Sequence, residues 1–166
     1  MPYTPILATL GYVFSPDRRK VLLVHRIARE HDAHYGKYNG LGGKLERDED
    51  IVTGMRREIR EEAGIECDEL ELAGTISWPG FGKHGEDWFG FLFRITKWSG
   101  ELRTASPEGP LVWVDLPRVQ ELPLWDGDRL FLPLVFDTNS PFHGVMPYES
   151  GRPIGWSVQK LEKNRA

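Results

Sequence analysis

Glu58, Glu61 and Glu62 stand at i, i+3 and i+4, and on a helix of 3.6 residues per turn they fall within an arc of about 100°. Like charges at those spacings repel by roughly a few tenths of a kcal/mol per pair, even on an exposed surface. The arc borders an apolar stripe of Ile51, Val52, Met55, Ile59 and Ala63, which recur at helical spacing. Glu62 in particular cannot lie fully in water. Three converging carboxylates at the edge of a core suit a hard divalent cation with oxygen ligands, Mg²⁺ foremost. The competing reading is a solvated acidic face relieved by Arg56, Arg57 and Arg60, since charge runs are commonly no more than that.

The helix that must carry these acids runs from about Asp48 to Ala63. Asp48 and Asp50 offer N-cap chemistry, acidic residues crowd the first turn, and Gly64 sits where a helix-ending glycine belongs. Ile6–Phe14 and Lys20–Ile27 are apolar, β-branched runs joined by Ser15–Arg19, which has turn chemistry and predicts a hairpin. A polar loop, Ala28–Lys37, leads into the glycine cluster Asn39-Gly-Leu-Gly-Gly43. From Trp88 to Thr96 the period is two, with Phe89, Phe91, Phe93 and Ile95 on one face and Gly90, Arg94 and Thr96 on the other. Leu70–Ser77 and Leu111–Val114 read as further strands, Pro117–Leu122 as a short helix, and Asp128–Phe136 as a helix distorted at Pro133. Phe142–Tyr148 and Pro153–Val158 form a closing hairpin around Glu149–Arg152. The expected class is α+β with a mixed sheet.

A length of 166 residues is one domain's worth, so residues 1–166 are taken as a single domain. With 18 glycines and 12 prolines the chain is rich in turns, as many short strands require. A formal net charge of −4 gives no general attraction to nucleic acid or anionic lipid, so neither is an expected partner. Cys67 is the only cysteine, which excludes an intrachain disulfide and a cysteine-built zinc site. Residues 1–10 lack the basic start of a secretion signal, and no apolar run approaches the roughly 18 residues that span a bilayer. A cytoplasmic location is expected. The sequence sets no oligomeric state, and a monomer is consistent with it.

Read backward from the acids, the chain gives Gly43, five residues, Glu49, seven residues, then Arg57-Glu-Ile-Arg-Glu-Glu-Ala-Gly-Ile65. This resembles the Nudix box, the signature of the Nudix hydrolases, at every specified position. Rival glycine motifs fail: a phosphate-binding Walker loop would need glycine where Tyr38 stands and a hydroxyl where Leu45 stands, and no HExxH or GxSxG occurs. The resemblance implies an α/β/α sandwich, a loop-helix-loop Mg²⁺ site (Mn²⁺ able to substitute) and a nucleoside diphosphate derivative as the small-molecule substrate. It assigns metal binding or orientation of the attacking water to Glu58, Glu61 and Glu62, a carbonyl ligand to Gly42, and orientation of the carboxylates to Arg57. Glu49 would pair with that arginine, and Gly43 and Gly64 would be structural.

Tyr38–Lys44, Leu124–Pro133 and Phe142-His-Gly144 further resemble the MutT-type oxidised purine nucleoside triphosphate diphosphatases, the animal branch especially. That branch implies hydrolysis of 8-oxo-dGTP to monophosphate and pyrophosphate. It implies a base pocket at Asn39, Trp125, Asp126 and Asp128, and a further metal ligand at Glu108. Lys44, after the glycines, is in place to meet a phosphate. Two departures touch the pocket: Gly127 stands where the animal enzymes have the first of two adjacent aspartates, and the Ala28–Lys37 loop is longer. Plain structural readings stand beside these, with Asn39 shaping a turn, an aspartate capping a helix and Trp125 filling core. His31, His34 and His84 read as loop histidines. Pro79 lies where ADP-ribose-type members place a marker proline, which keeps an ADP-ribose or dinucleoside polyphosphate hydrolase as the alternative. A non-catalytic nucleotide-binding module of this fold would be expected to lose the box carboxylates, and here all are present.

Overall fold

The computed structural model describes residues 1–137 and 140–161. Its centre is the mixed sheet expected from the alternating runs. Strands β1 (Ile6–Phe14) and β2 (Lys20–His25) pair antiparallel, and β1 also runs parallel to β6 (Trp88–Ser99). The glycine cluster is itself extended, as β3 (Tyr38–Asn39) on β2 and β4 (Leu41–Lys44) on β1. Strand β5 (Glu66–Trp78) pairs with β6, while β7 (Ala105–Ser106) and β8 (Gly109–Asp115) complete the other side on β2.

Both faces of this sheet are covered, which is why β1 and β2 read as nearly continuous apolar runs. On one face Val13, Leu22, Val24, Leu41, Phe93 and Ile95 pack against Met55, Ile59 and Ala63 of helix α1 (Ile51–Ala63). On the other, Tyr12, Phe14, Val21, Leu23 and Leu92 pack against Phe131, Leu132 and Val135 of helix α2 (Asp126–Phe136), with Val119 from the 3₁₀ turn Leu116–Glu121. Period-two alternation thus sends successive side chains into two separate cores, and the chain forms the expected α/β/α sandwich.

The boundaries differ from the sequence reading where polar side chains are spent on the backbone. Helix α1 starts at Ile51, not near Asp48, because Asp50 is its N-cap and accepts from the Val52 and Thr53 amides. The acidic residues therefore precede the first turn rather than occupy it. Gly64 closes the helix at φ 75°, a left-handed conformation suited to glycine. In α2, Pro133 has no N–H for the Arg129 carbonyl, and Gln120 Nε2 donates to that oxygen instead at 3.3 Å.

The closing hairpin is split in two. Strand β9 (Phe142–Val145) lies parallel to β5 and antiparallel to β12 (Ser157–Lys160), while β10 (Tyr148–Glu149) and β11 (Arg152–Pro153) form their own short ladder. The break follows from competition, since the Met146 and Tyr148 amides donate to Ser77 and Pro79 rather than across the hairpin. No helix among the described residues is long and apolar enough to cross a membrane.

Candidate functional site

Helix α1 presents its acids to β4, and the burial of each differs sharply. Glu62 is 8% exposed and accepts the Gly42 amide N–H at 3.0 Å. Burial, then the Glu108 and Glu58 carboxylates, push its carboxyl up to about 9. The Glu58 carboxyl is also raised, chiefly by burial, with Arg57 opposing the shift. Gly43 lets the strand lie against Glu58, since a Cβ there would stand 2.6 Å from Glu58 Oε1. Two carboxylates and a glycine strand are thereby held together at one end of the helix–sheet interface.

Arg57 organises the opposite side of this cluster. Its Nε donates to Glu49 Oε2 at 2.9 Å and its Nη2 to Glu49 Oε1 at 2.6 Å, a fork matched to the carboxylate. The arginine holds the Glu49 carboxyl down to about 2. Its remaining nitrogen, Nη1, reaches Glu58 Oε1 at 3.1 Å and Glu61 Oε2 at 3.2 Å. Glu61 is more than half exposed and turns toward Arg57 rather than toward Glu62. Glu108 approaches Glu62 closely enough to shift it, and pairs with Arg26 at 3.0 Å.

Among the described residues no three acidic, histidine or cysteine side chains already surround one point as metal ligands would. The chemistry of the donor set nonetheless fits a hard divalent cation. Glu62 is a buried carboxyl on which the Glu108 and Glu58 carboxylates act more strongly than the opposing Arg26, an arrangement that an oxygen-seeking cation relieves.

Next to the acids lies a second constellation. Asn39 ends β3, and its Oδ1 is buried with no hydrogen-bond partner, while its Nδ2 lies 3.3 Å from His34 Nδ1. The Trp125 indole N–H donates to the same His34 nitrogen at 2.7 Å, and Lys37 Nζ sits 4.9 Å from the Trp125 ring centre. Burial pushes the Asp128 carboxyl up to about 7, with Lys37 and Arg129 opposing. Asp126 is exposed at the start of α2. Neither aspartate caps that helix, whose N-cap is Trp125 without a side-chain bond. Gly127 backs onto Met146, whose Sδ would stand 2.6 Å from a Cβ, so a larger residue there would need the neighbour to move. Lys44 places its ammonium 5.4 Å from the Trp88 ring centre, near enough to the Glu86 carboxylate to help lower its pKa. Asn39 and Trp125 thus meet at His34, and Asp128 joins them through its backbone N–H to the Trp125 carbonyl and through Lys37, while Asp126 and Lys44 take no part in these contacts.

Sequence reasoning passes over Arg26 and Lys37 and reads His34 as no more than a loop histidine. A polar ten-residue stretch gives no periodicity from which to place a side chain, and the contacts come from Asp32. Its carboxylate accepts from Arg26 at 2.6 Å and from the His34 amide at 3.0 Å, folding the loop back over Trp125.

A sandwich of this topology, with a glycine strand set against a carboxylate-bearing helix, defines a class of hydrolase. The NUDIX domain model matches residues 4–135, and the chain belongs to the Nudix family as a pyrophosphohydrolase. It is similar to the oxidized purine nucleoside triphosphate hydrolase of Danio rerio, with 32% identity over 133 residues covering 80% of this chain and 81% of that protein. It is 31% identical over 133 residues to the uncharacterized Nudix hydrolase YvcI of Bacillus subtilis, covering 78% and 79% respectively. Among solved structures it resembles a mutator MutT protein from Bacillus halodurans at TM-score 0.79 and 28% identity, over 92% of this chain and 97% of that one.

Proposed function

We propose that this hydrolase acts on oxidised purine nucleoside triphosphates such as 8-oxo-dGTP, releasing the nucleoside monophosphate and pyrophosphate and so cleansing the nucleotide pool. Residues 1–166 act as one domain in this reading. The observation that carries it is the unpaired, buried Oδ1 of Asn39, whose amide shares His34 Nδ1 with Trp125 and which adjoins the acid cluster through the β3–β4 segment. A buried polar atom without a partner is costly, and a base edge supplies the missing donor. The similarity to an animal hydrolase named for oxidised purine triphosphates supports the same substrate class.

Nudix hydrolases generally use a divalent metal. Glu58, Glu61, Glu62, the Gly42 carbonyl and Glu108 would hold Mg²⁺, with Mn²⁺ able to substitute. When bound, the metal offsets phosphate charge and lowers the pKa of a water. Glu62 and Glu58, whose carboxyls are raised chiefly by burial, are the groups suited to hold and pass a proton. Arg57, anchored on Glu49, keeps Glu58 and Glu61 oriented. Asn39, Trp125 and Asp128 bind the base, with Asp126 and Lys44 at the edge of the substrate.

Product analysis tests the reading. With Mg²⁺, 8-oxo-dGTP is expected to yield 8-oxo-dGMP and pyrophosphate in equal amounts. Release of inorganic phosphate alone, or turnover of ADP-ribose in preference, would overturn it.

A further inference from the structure

The loop of residues 28–37 sets both Lys37 and His34 against Trp125, and hydrogen-bond chemistry fixes what His34 does. An indole N–H can only donate. Because Trp125 Nε1 donates to His34 Nδ1 at 2.7 Å, that ring nitrogen carries no proton and the neutral imidazole keeps its proton on Nε2. The same Nδ1 is 3.3 Å from the Asn39 amide, which must therefore offer its NH₂ group there. An amide that turns its NH₂ to His34 turns its oxygen away, and that oxygen is the buried atom without a partner. His34 thus removes the ambiguity of an amide, which could otherwise present either a donor or an acceptor to a ligand.

We propose that His34 is a positioning residue for base selection, fixing Trp125 and orienting Asn39 so that only the amide oxygen faces the base and the pocket selects a purine carrying an added N–H donor. The inference rests on the substrate reading above. Guanine offers an acceptor at N7, whereas its 8-oxo form carries N7–H, so an acceptor-only Asn39 favours the oxidised base. A site built to pair with a donor rejects the analogue lacking it, because the buried acceptor is then left unpaired.

The charged groups facing His34 act in both directions. Burial and Arg26 lower its pKa, Asp32 raises it, and Lys37 lowers it, with the net result below the ordinary value. The neutral, accepting ring therefore prevails at neutral pH, and protonation in acid sets a donor against two donors. Asp128 also titrates in this pocket, so the His34 contribution must be isolated by substitution.

Asn places an amide oxygen near the position of histidine Nδ1 and does not titrate, so His34→Asn should keep the pairing at every pH. His34→Ala is expected to raise KM for 8-oxo-dGTP about tenfold, with kcat changed less than twofold, and to lower the preference over dGTP by a similar factor. His34→Asn should restore that preference and keep in acid the part of it that the wild type loses when His34 is protonated. Long-range ¹H–¹⁵N NMR of the free protein at pH 7.5 should give the Nε2–H tautomer for His34. A proton on Nδ1, an unaltered preference in His34→Ala, or a loss shared equally by dGTP would overturn the inference. A wild type that prefers neither purine triphosphate overturns the substrate reading instead, and the inference with it.

Discussion

Replacing Glu62 by Gln separates what the site costs the fold from what it contributes to turnover. The folded protein raises this carboxyl from 4.5 to about 9, mainly by burial and then by Glu108 and Glu58. A carboxyl whose pKa is higher folded than unfolded makes the folded state bind more protons between those two values, so stability falls as pH rises through that window. At 1.36 kcal/mol per pH unit, the loss relative to a non-titrating side chain is about 1 kcal/mol at pH 5, about 3 at pH 7 and about 5 at pH 8.5. Gln keeps an oxygen to accept the Gly42 N–H and carries no charge to desolvate. Urea unfolding of chelator-treated protein at those three pH values should show Glu62→Gln more stable than wild type, by a margin that widens with pH. Activity should fall at least about a hundredfold, on the scale of a lost acid–base or electrostatic group. A margin independent of pH, or a variant less stable than wild type at pH 8.5, would refute the reading of Glu62 as a buried, charge-crowded carboxyl.

Glu58→Gln should lower kcat by about a hundredfold or more with little change in unfolding midpoint; turnover near normal removes Glu58 from the reacting centre. Asn39→Ala should narrow the ratio of kcat/KM for 8-oxo-dGTP over dGTP, because it deletes the base-facing acceptor. An equal loss on both nucleotides makes Asn39 a turn residue. On the stability side, Arg94 is buried and donates to the Val135 and Asp137 carbonyls at the end of α2 and to Glu71. Arg94→Ala should cost about 3 kcal/mol in urea unfolding, and a cost under about 1 kcal/mol would show that the helix end is held by other contacts.

The acid-bearing half of this molecule is legible in its sequence because its signals are local. The spacing of Glu58, Glu61 and Glu62, the apolar stripe beside them and the helix-ending Gly64 all lie on one helix, where spacing fixes direction. Even there, position did not disclose orientation, since Glu61 turns to Arg57 while Glu62 turns inward to Gly42. The β1–β2 hairpin and the period-two run of β6 were equally readable. The two-core arrangement was not, because a strand buried on both faces shows an unbroken apolar run that does not say what covers each side. The Asn39–His34–Trp125 cluster is the least legible part. Asn39, Trp125 and His34 are brought together by strand pairing and by loop contacts through Asp32, none of which leaves a periodic trace. The closing hairpin is split by bonds to Ser77 of β5 and to Pro79 just beyond it, long-range competitors absent from any local window.

The most direct measurement is kcat/KM for 8-oxo-dGTP and dGTP under identical Mg²⁺ conditions, with pyrophosphate followed as product. A site in which the acid cluster and the Asn39–Trp125–Asp128 pocket work on one substrate should favour the oxidised nucleotide at least about tenfold. Equal efficiency on the two nucleotides, or no pyrophosphate from either, would contradict it.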